Sequence, residues 1–117
     1  PKQDYSLLSQ LQPAELQCKI LRSGKEKDSR QWVMQFTNHS DQFAFFVHNM
    51  ISQGNEELLP SFWSDNYFSL RPHESITVTV SCPLEAMKGR LPVLQMEGYN
   101  VKKSELALPL VVKESEN

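Results

Sequence analysis

Turn signals recur at short, even intervals along this chain, and that rhythm constrains the fold more than any other feature. Ser23-Gly24, extended by Lys25, Glu26, Lys27 and Asp28, is followed by Gln53-Gly54-Asn55, Arg71-Pro72-His73 and Lys88-Gly89. Glycine tolerates positive φ and proline removes a backbone donor, so each of these sites interrupts regular structure. The runs between them are about eight to ten residues long, which is the spacing of strands in a sandwich. Several runs alternate with period two, placing successive side chains on opposite faces of a sheet. Leu16, Cys18 and Ile20 share a face over residues 15–22, with Gln17 and Lys19 on the other. Trp32, Met34 and Phe36 oppose Gln31, Gln35 and Thr37 over 30–38. Ile76, Val78, Val80 and Cys82 oppose Thr77, Thr79 and Ser81 over 75–82. Leu106, Leu108, Leu110 and Val112 share a face over 105–112, and Pro109, with no N–H to give a neighbour, marks that run as an edge strand. The run at 91–97 is less regular. Helix is nearly absent: one turn is expected over 83–88, with Pro at its start and Gly89 at its end, and another over 6–12, cut off by Pro13. The chain reads as an all-β, antiparallel β-sandwich of about seven to eight strands.

The sandwich is expected over residues 15–112, with a lead-in segment over 1–14 and a polar tail over 113–117. With 117 residues the chain has room for one core. An eight-stranded βα barrel, at about 250 residues, is out of reach. Twelve Lys and Arg against 14 Asp and Glu leave a net charge of −2, without the basic surplus or stripe of a nucleic-acid binder. No window approaches the roughly 20 apolar residues of a membrane-spanning helix, and no partner of either kind is expected. The chain opens Pro1-Lys2-Gln3-Asp4, with no initiating Met and no apolar leader, as a piece cut from a longer protein would.

Two segments depart from one-sided alternation. FAFFVHNMI, within residues 42–52, is apolar at both parities: Phe43, Phe45, Val47 and Ile51 on one, Ala44, Phe46, His48 and Met50 on the other. An antiparallel sandwich strand normally shows one face to water, so a strand apolar on both needs a second cover. Residues 62–70 behave alike, with Phe62 and Phe68 on one parity and Trp63 and Tyr67 on the other. Asp65 and Asn66 in the middle mark a bend or bulge. Either these aromatics all pack locally, or they form an exposed patch that docks on a neighbouring domain or a sugar ring.

Catalytic signals are weak. The carboxylates lie mostly in loops or at outward strand positions, as solvated surface charge does. There is no GxSxG, and the four glycines do not cluster into a phosphate-binding loop. Cys18, Cys82, His39, His48 and His73 show no metal-ligand spacing, so no metal or other cofactor is expected. Both cysteines fall on inward parity and read as small buried hydrophobes. Asn38-His39-Ser40 has the form of a glycosylation triplet but serves better as a polar turn between two strands.

Longer motifs carry a resemblance. FTNHSDQFAFFVHNM is similar to a "tN-x-S-d-x-AFF" segment, and LLPSFWSDNYFSLRPHESITVTVS to "lP-x-fwSDNYfsL-P-E-x-x-t-v". QMEGYNV resembles a closing "eG-yN" signature, and YSLLSQLQPAEL a Leu-rich lead-in. Together these resemble the C-terminal immunoglobulin-like accessory domain of glycoside hydrolase family 2 enzymes, in the group of β-mannosidase, endo-β-mannosidase and exo-β-D-glucosaminidase. The resemblance covers roughly residues 5–101. It implies an immunoglobulin-like sandwich with no catalytic residues of its own, since the acid and the nucleophile lie on the parent's barrel. It also implies a secreted or periplasmic parent, or a lysosomal or vacuolar one in a eukaryote. Cys18, Trp32 and Cys82 mimic the Cys…Trp…Cys order of immunoglobulin domains, but Val80 stands where a tyrosine corner would. The family's Pro-Gly-Glu is Pro72-His73-Glu74 here, which implies a turn that does not require φ > 0 at His73.

The expected function is therefore that of a non-catalytic domain of a β-mannosidase-like, retaining β-glycosidase. It would brace the catalytic barrel and shape its substrate cleft, with that barrel and neighbouring domains as its partners. Phe46, His48, Met50, Trp63, Asp65, Asn66 and Tyr67 are the candidate interface or sugar-contact residues. The competing expectation is a carbohydrate-binding module that presents Trp63 and Tyr67 to β-linked oligosaccharides, with Tyr99 as a further ring and Trp32 the weakest candidate, since its parity places it in the core.

Overall fold

A computed structural model of the chain describes residues 12–87 and 90–110. The expected turn over 6–11, the Lys88-Gly89 stop, residues 111–112 of the last run and the polar tail lie outside the described residues. Among the described residues, nine strands pack as two antiparallel sheets. They are β1 (Leu16–Glu26), β2 (Ser29–Asn38), β3 (Ala44–Gln53), β4 (Glu56–Glu57), β5 (Phe62–Trp63), β6 (Tyr67–Leu70), β7 (Ser75–Pro83), β8 (Val93–Gly98) and β9 (Val101–Ala107). The first sheet has the order β1-β2-β7-β5; the second has β4-β3-β8-β9, with β6 also on β3. A single helical turn, Leu84–Met87, follows Pro83 as expected.

The core lies where the alternation placed it. Trp32, Met34, Phe36, Val78, Val80 and Cys82 from the first sheet are fully buried against Ala44, Val47, Ile51 and Leu94 from the second. Burying each large side chain contributes roughly 1.5–3 kcal/mol. The Trp32 indole N–H donates to the Pro109 carbonyl at 2.8 Å, so its burial leaves no polar atom unpaired. Asn38, also fully buried, closes the β2–β3 turn. Its side-chain nitrogen donates to the carbonyls of Gln42, Leu70 and Arg71, and its oxygen accepts from the N–H and hydroxyl of Ser40. The Asn-x-Ser triplet is thus a turn, and its amide is committed inside the protein.

Four details differ from the sequence reading. First, β3 carries an extra residue: Ala44 pairs with Leu70 and Val47 with Phe68. This bulge keeps both Ala44 and Val47 inward and turns Phe45 and Phe46 outward together, so the simple parity of this segment fails. A second bulge lies between Ile20 and Arg22 in β1. Second, the last strand runs over Val101–Ala107, not 105–112. Leu108 is buried beyond its end, its N–H bonded to the Pro92 carbonyl at 3.0 Å. Of the alternating leucines, Leu106 lies in β9, Leu108 is buried just past its end and Leu110 is exposed, and Pro109 sits in no strand. Third, His73 has φ +64, so the turn does require the left-handed region. The imidazole bonds Asp41 at 2.8 Å. Fourth, parity does not carry through residues 62–70, because Asp65-Asn66 takes the chain from β5 in one sheet to β6 in the other. Trp63 and Phe68 pack on the core, whereas Phe62 and Tyr67 are exposed.

The cysteines are free. Both belong to the first sheet, where Cys18 pairs with Phe36 and Cys82 with Arg30 of the same strand. Six residues of strand separate those partners by about 20 Å, far beyond disulfide reach. Burial pushes the Cys18 thiol up to about 12 and the Cys82 thiol up to about 11.

Candidate functional site

The outer face of the second sheet carries an aromatic cluster built by the β3 bulge. Phe43 and Phe45 stack with centroids 5.5 Å apart, and Phe45 meets Phe46 at 6.0 Å. Phe46 has φ +53 and is 61% exposed. A bulky side chain at positive φ brings its Cβ close to its own carbonyl, at a cost of roughly 1–2 kcal/mol. The bulge is fixed by its neighbours: the Ser69 hydroxyl accepts from the Phe46 N–H at 3.0 Å, and the Asn100 side-chain oxygen accepts from the Phe45 N–H at 2.9 Å.

Next along β3, His48 lies between Tyr67 on β6 and Glu97 on β8, each directly opposite it in register. The imidazole stacks on Tyr67 at 5.7 Å, and its Nε2 lies 3.3 Å from a Glu97 carboxylate oxygen. Tyr67 is 73% exposed. Met50 follows, half-buried beside Gln95 and Lys103.

The seven residues singled out from the sequence thus divide. Phe46, His48, Met50 and Tyr67 share one outer face. Asn66 supports it from behind, its side-chain oxygen accepting from the Asn49 N–H at 2.8 Å. Asp65 is exposed at the corner. Trp63 lies in the other sheet, paired with Val80, its indole N–H donating to the Ser61 hydroxyl at 3.1 Å. Trp63 and Tyr67 therefore do not form one platform. Sequence reasoning left Phe43 and Phe45 out of the candidates. Tyr99, which it offered as a sugar-contact ring, sits in the Gly98-Tyr99-Asn100 motif. Its turn joins β8 to β9, and the Tyr99 N–H bonds the Phe45 carbonyl at 2.8 Å. Gly98 is required there because a Cβ would lie 2.8 Å from that same carbonyl oxygen.

Among the described residues no group of three or more His, Cys, Asp or Glu is placed to hold a metal ion. No helix among them is long and apolar enough to cross a membrane. The carboxylate with a displaced pKa is Glu74, held below the usual range by the Arg71 backbone N–H at 2.8 Å and then by its guanidinium; it ties a turn. An open cleft of about 600 Å³ lies at the far end of β3, between Gln53, Glu56 and Leu58 and the segment carrying Ala86 and Arg90. It contains no nucleophile paired with a base.

Residues 1–101 match the exo-beta-D-glucosaminidase Ig-fold domain family. The chain belongs to that family. It is 33% identical over 102 residues to an exo-beta-D-glucosaminidase of Arthroderma benhamiae, covering 86% of this chain and 11% of the relative. Its fold matches the crystal structure of the Amycolatopsis orientalis exo-chitosanase CsxA with a TM-score of 0.81 at 23% identity, over 90% of this chain and 13% of that one. A second CsxA structure, an exo-beta-D-glucosaminidase inhibited by a glucosamine-configured castanospermine, matches equally well. The immunoglobulin-like accessory domain of glycoside hydrolase family 2 is thus the family that the motifs pointed to. The relatives named here are glucosaminidases, so the β-mannosidase assignment within that group is not supported. In this Ig-fold domain the motifs are structural: Asn38 and Asn66 hold corners, and Gly98 and Asn100 hold the bulge that lifts Phe46 outward.

Proposed function

We propose that this Ig-fold domain is a non-catalytic brace in a multidomain exo-β-D-glucosaminidase of glycoside hydrolase family 2. It packs against another domain of the same chain through the aromatic face of Phe43, Phe45, Phe46, His48 and Tyr67. The sandwich of residues 15–112 acts as the unit, and the retaining chemistry belongs to carboxylates elsewhere in the parent. In this position the domain supports the catalytic barrel and borders its substrate cleft.

Phe46 is the observation that carries this reading. Its ring is exposed and its backbone sits at positive φ, and both features work against the isolated domain. Strain of this kind is held by the surrounding structure, here the Asn100 and Ser69 bonds, and it clusters at functional sites. Phe43, Phe46 and Tyr67, each about half to three-quarters exposed at about 150–250 Å² per aromatic side chain, give an area on the order of 350 Å². That is the size of the largest apolar patch on a typical monomer, which is often functional.

The exposed, stacked pair His48–Tyr67 supports the second reading, sugar binding, because a flat ring at the surface can take a pyranose face. Tyr67→Ser in the parent separates the two. Docking predicts a lower melting temperature of the parent with the melting temperature of the 117-residue chain unchanged. Sugar binding predicts no change in either, but loss of the Tyr67 ring shifts when the chain is titrated with β-linked glucosamine oligosaccharides. An unchanged parent melting temperature overturns the docking reading.

A further inference from the structure

We infer that the Asn49 side chain holds an internal water molecule where the chain crosses from β5 to β6, joining its amide to the main chain of residues 64–66. This stands apart from the docking reading and concerns the inside of the sandwich. Asn49 lies on β3 between Val47 and Ile51, on the same inward parity, and is 4% exposed. Both atoms of its side-chain amide are buried, and neither has a hydrogen-bond partner among the described residues. The fully buried Asn38, by contrast, bonds through both of its amide atoms. An amide buried without a partner gives up its hydration for nothing, and native cores pair such groups with protein or with ordered water.

The surroundings of Asn49 favour water. On one side Met96 stands opposite it in register on β8 and offers only a weak thioether acceptor. On the other, the Asn49 N–H donates to the Asn66 side-chain oxygen at 2.8 Å. Two residues earlier, the Ser64 N–H donates to the Thr79 carbonyl at 2.8 Å, and the Ser64 hydroxyl accepts from the Thr79 N–H at 2.9 Å. One end of this short crossing is thus fastened to β3 and the other to β7, across sheets that stack about 10 Å apart. The Asn49 side chain projects inward from the residue that anchors the crossing, so it runs alongside it. Residues 64–66 belong to no strand, and their main chain supplies polar groups outside both ladders. An internal water takes about two to four polar partners, and a chain of this length holds on the order of four such waters. Among the described residues no charged side chain is buried, so the ligand is neutral water and not an ion.

Water–protein NMR on the isotope-labelled 117-residue chain tests this. A long-lived bound water should give NOE and ROE cross-peaks of opposite sign at the Asn49 side-chain N–H protons. No peaks, or peaks of the same sign, which report proton exchange, overturn the inference. The peaks should persist in Ser64→Ala, which removes the hydroxyl of the crossing. Their loss there would assign them to that hydroxyl and overturn the inference as well. In Asn49→Leu the new methyl groups should show no water contact. A contact there would mean that water enters whatever side chain lines the site, and Asn49 would not be its holder. Each of these outcomes leaves the docking reading untouched.

Discussion

The two outer faces of this sandwich have the same backbone and opposite surfaces. On the first sheet most outward positions are polar, Gln17 and Lys19 on β1, Gln31 and Gln35 on β2, and Thr77 and Thr79 on β7, with Val33 on β2 and Phe62 at the β5 edge as separate apolar exceptions. On the second, one end of the face carries Phe45, Phe46, His48 and Tyr67. Both sheets bury an inner apolar face of the same kind, so the core does not explain the difference. A sandwich is stable with a polar outer face, as the first sheet demonstrates. The aromatic end of the second is an addition to the fold, held by a bulge, a residue at positive φ, and the Asn100 and Ser69 bonds.

The largest effects are expected inside. Phe36→Ala empties a fully buried site and should cost about 3–5 kcal/mol of unfolding free energy in urea. Asn38→Ala leaves buried carbonyls without donors and should cost about 2–3 kcal/mol. A loss below 1 kcal/mol in either variant would mean that the inner face is less tightly determined than its burial indicates.

Phe46→Gly should behave in the opposite way. It relieves the left-handed strain but gives back unfolded-chain entropy, so the 117-residue chain should be unchanged or more stable by up to about 1 kcal/mol. A loss of 2 kcal/mol or more would place Phe46 with the core and remove the contrast between the faces.

The smallest effect is that of the two thiols. Both have folded-state values above the ordinary 9.0. Their contribution to stability is therefore complete below pH 9 and declines as the pH rises towards 11 and 12. Denaturation between pH 8 and 11 should show this decline, and Cys82→Ala should reduce it. The native protein should react slowly with thiol reagents, Cys82 least of all.

How much of this was legible in the sequence follows from where period two holds. It holds in β2 and β7, and there Trp32, Met34, Phe36, Val78 and Val80 could be placed inside by counting. It fails wherever one residue is inserted, because a single extra residue reverses every side chain beyond it. Nothing in FAFFVHNMI shows that Phe45 and Phe46 both turn outward, since that depends on Ser69 and Asn100, distant in sequence. His73 shows the limit of reading a missing glycine: the turn kept its positive φ without one. The leucines at 106, 108 and 110 alternate, but spacing alone does not show that the ladder stops at Ala107, with Leu108 and Pro109 bonded to Pro92 and Trp32 and Leu110 exposed. For the candidate site, the double-sided apolarity of β3 was visible, and with it Phe46, His48 and Met50. Trp63 and Tyr67 sit close in sequence, yet the Asp65-Asn66 corner sends them to different sheets.

Hydroxyl-radical footprinting of the 117-residue chain and of its full-length parent, side by side, tests the docking claim most directly. Phe43, Phe46, Tyr67 and Tyr99 should be oxidised readily in the chain and protected in the parent, with buried Phe36 slow and Phe62 fast in both. Equal oxidation of Phe46 and Tyr67 in the two would contradict the account, because the aromatic face would then remain in water in the protein it was built to brace.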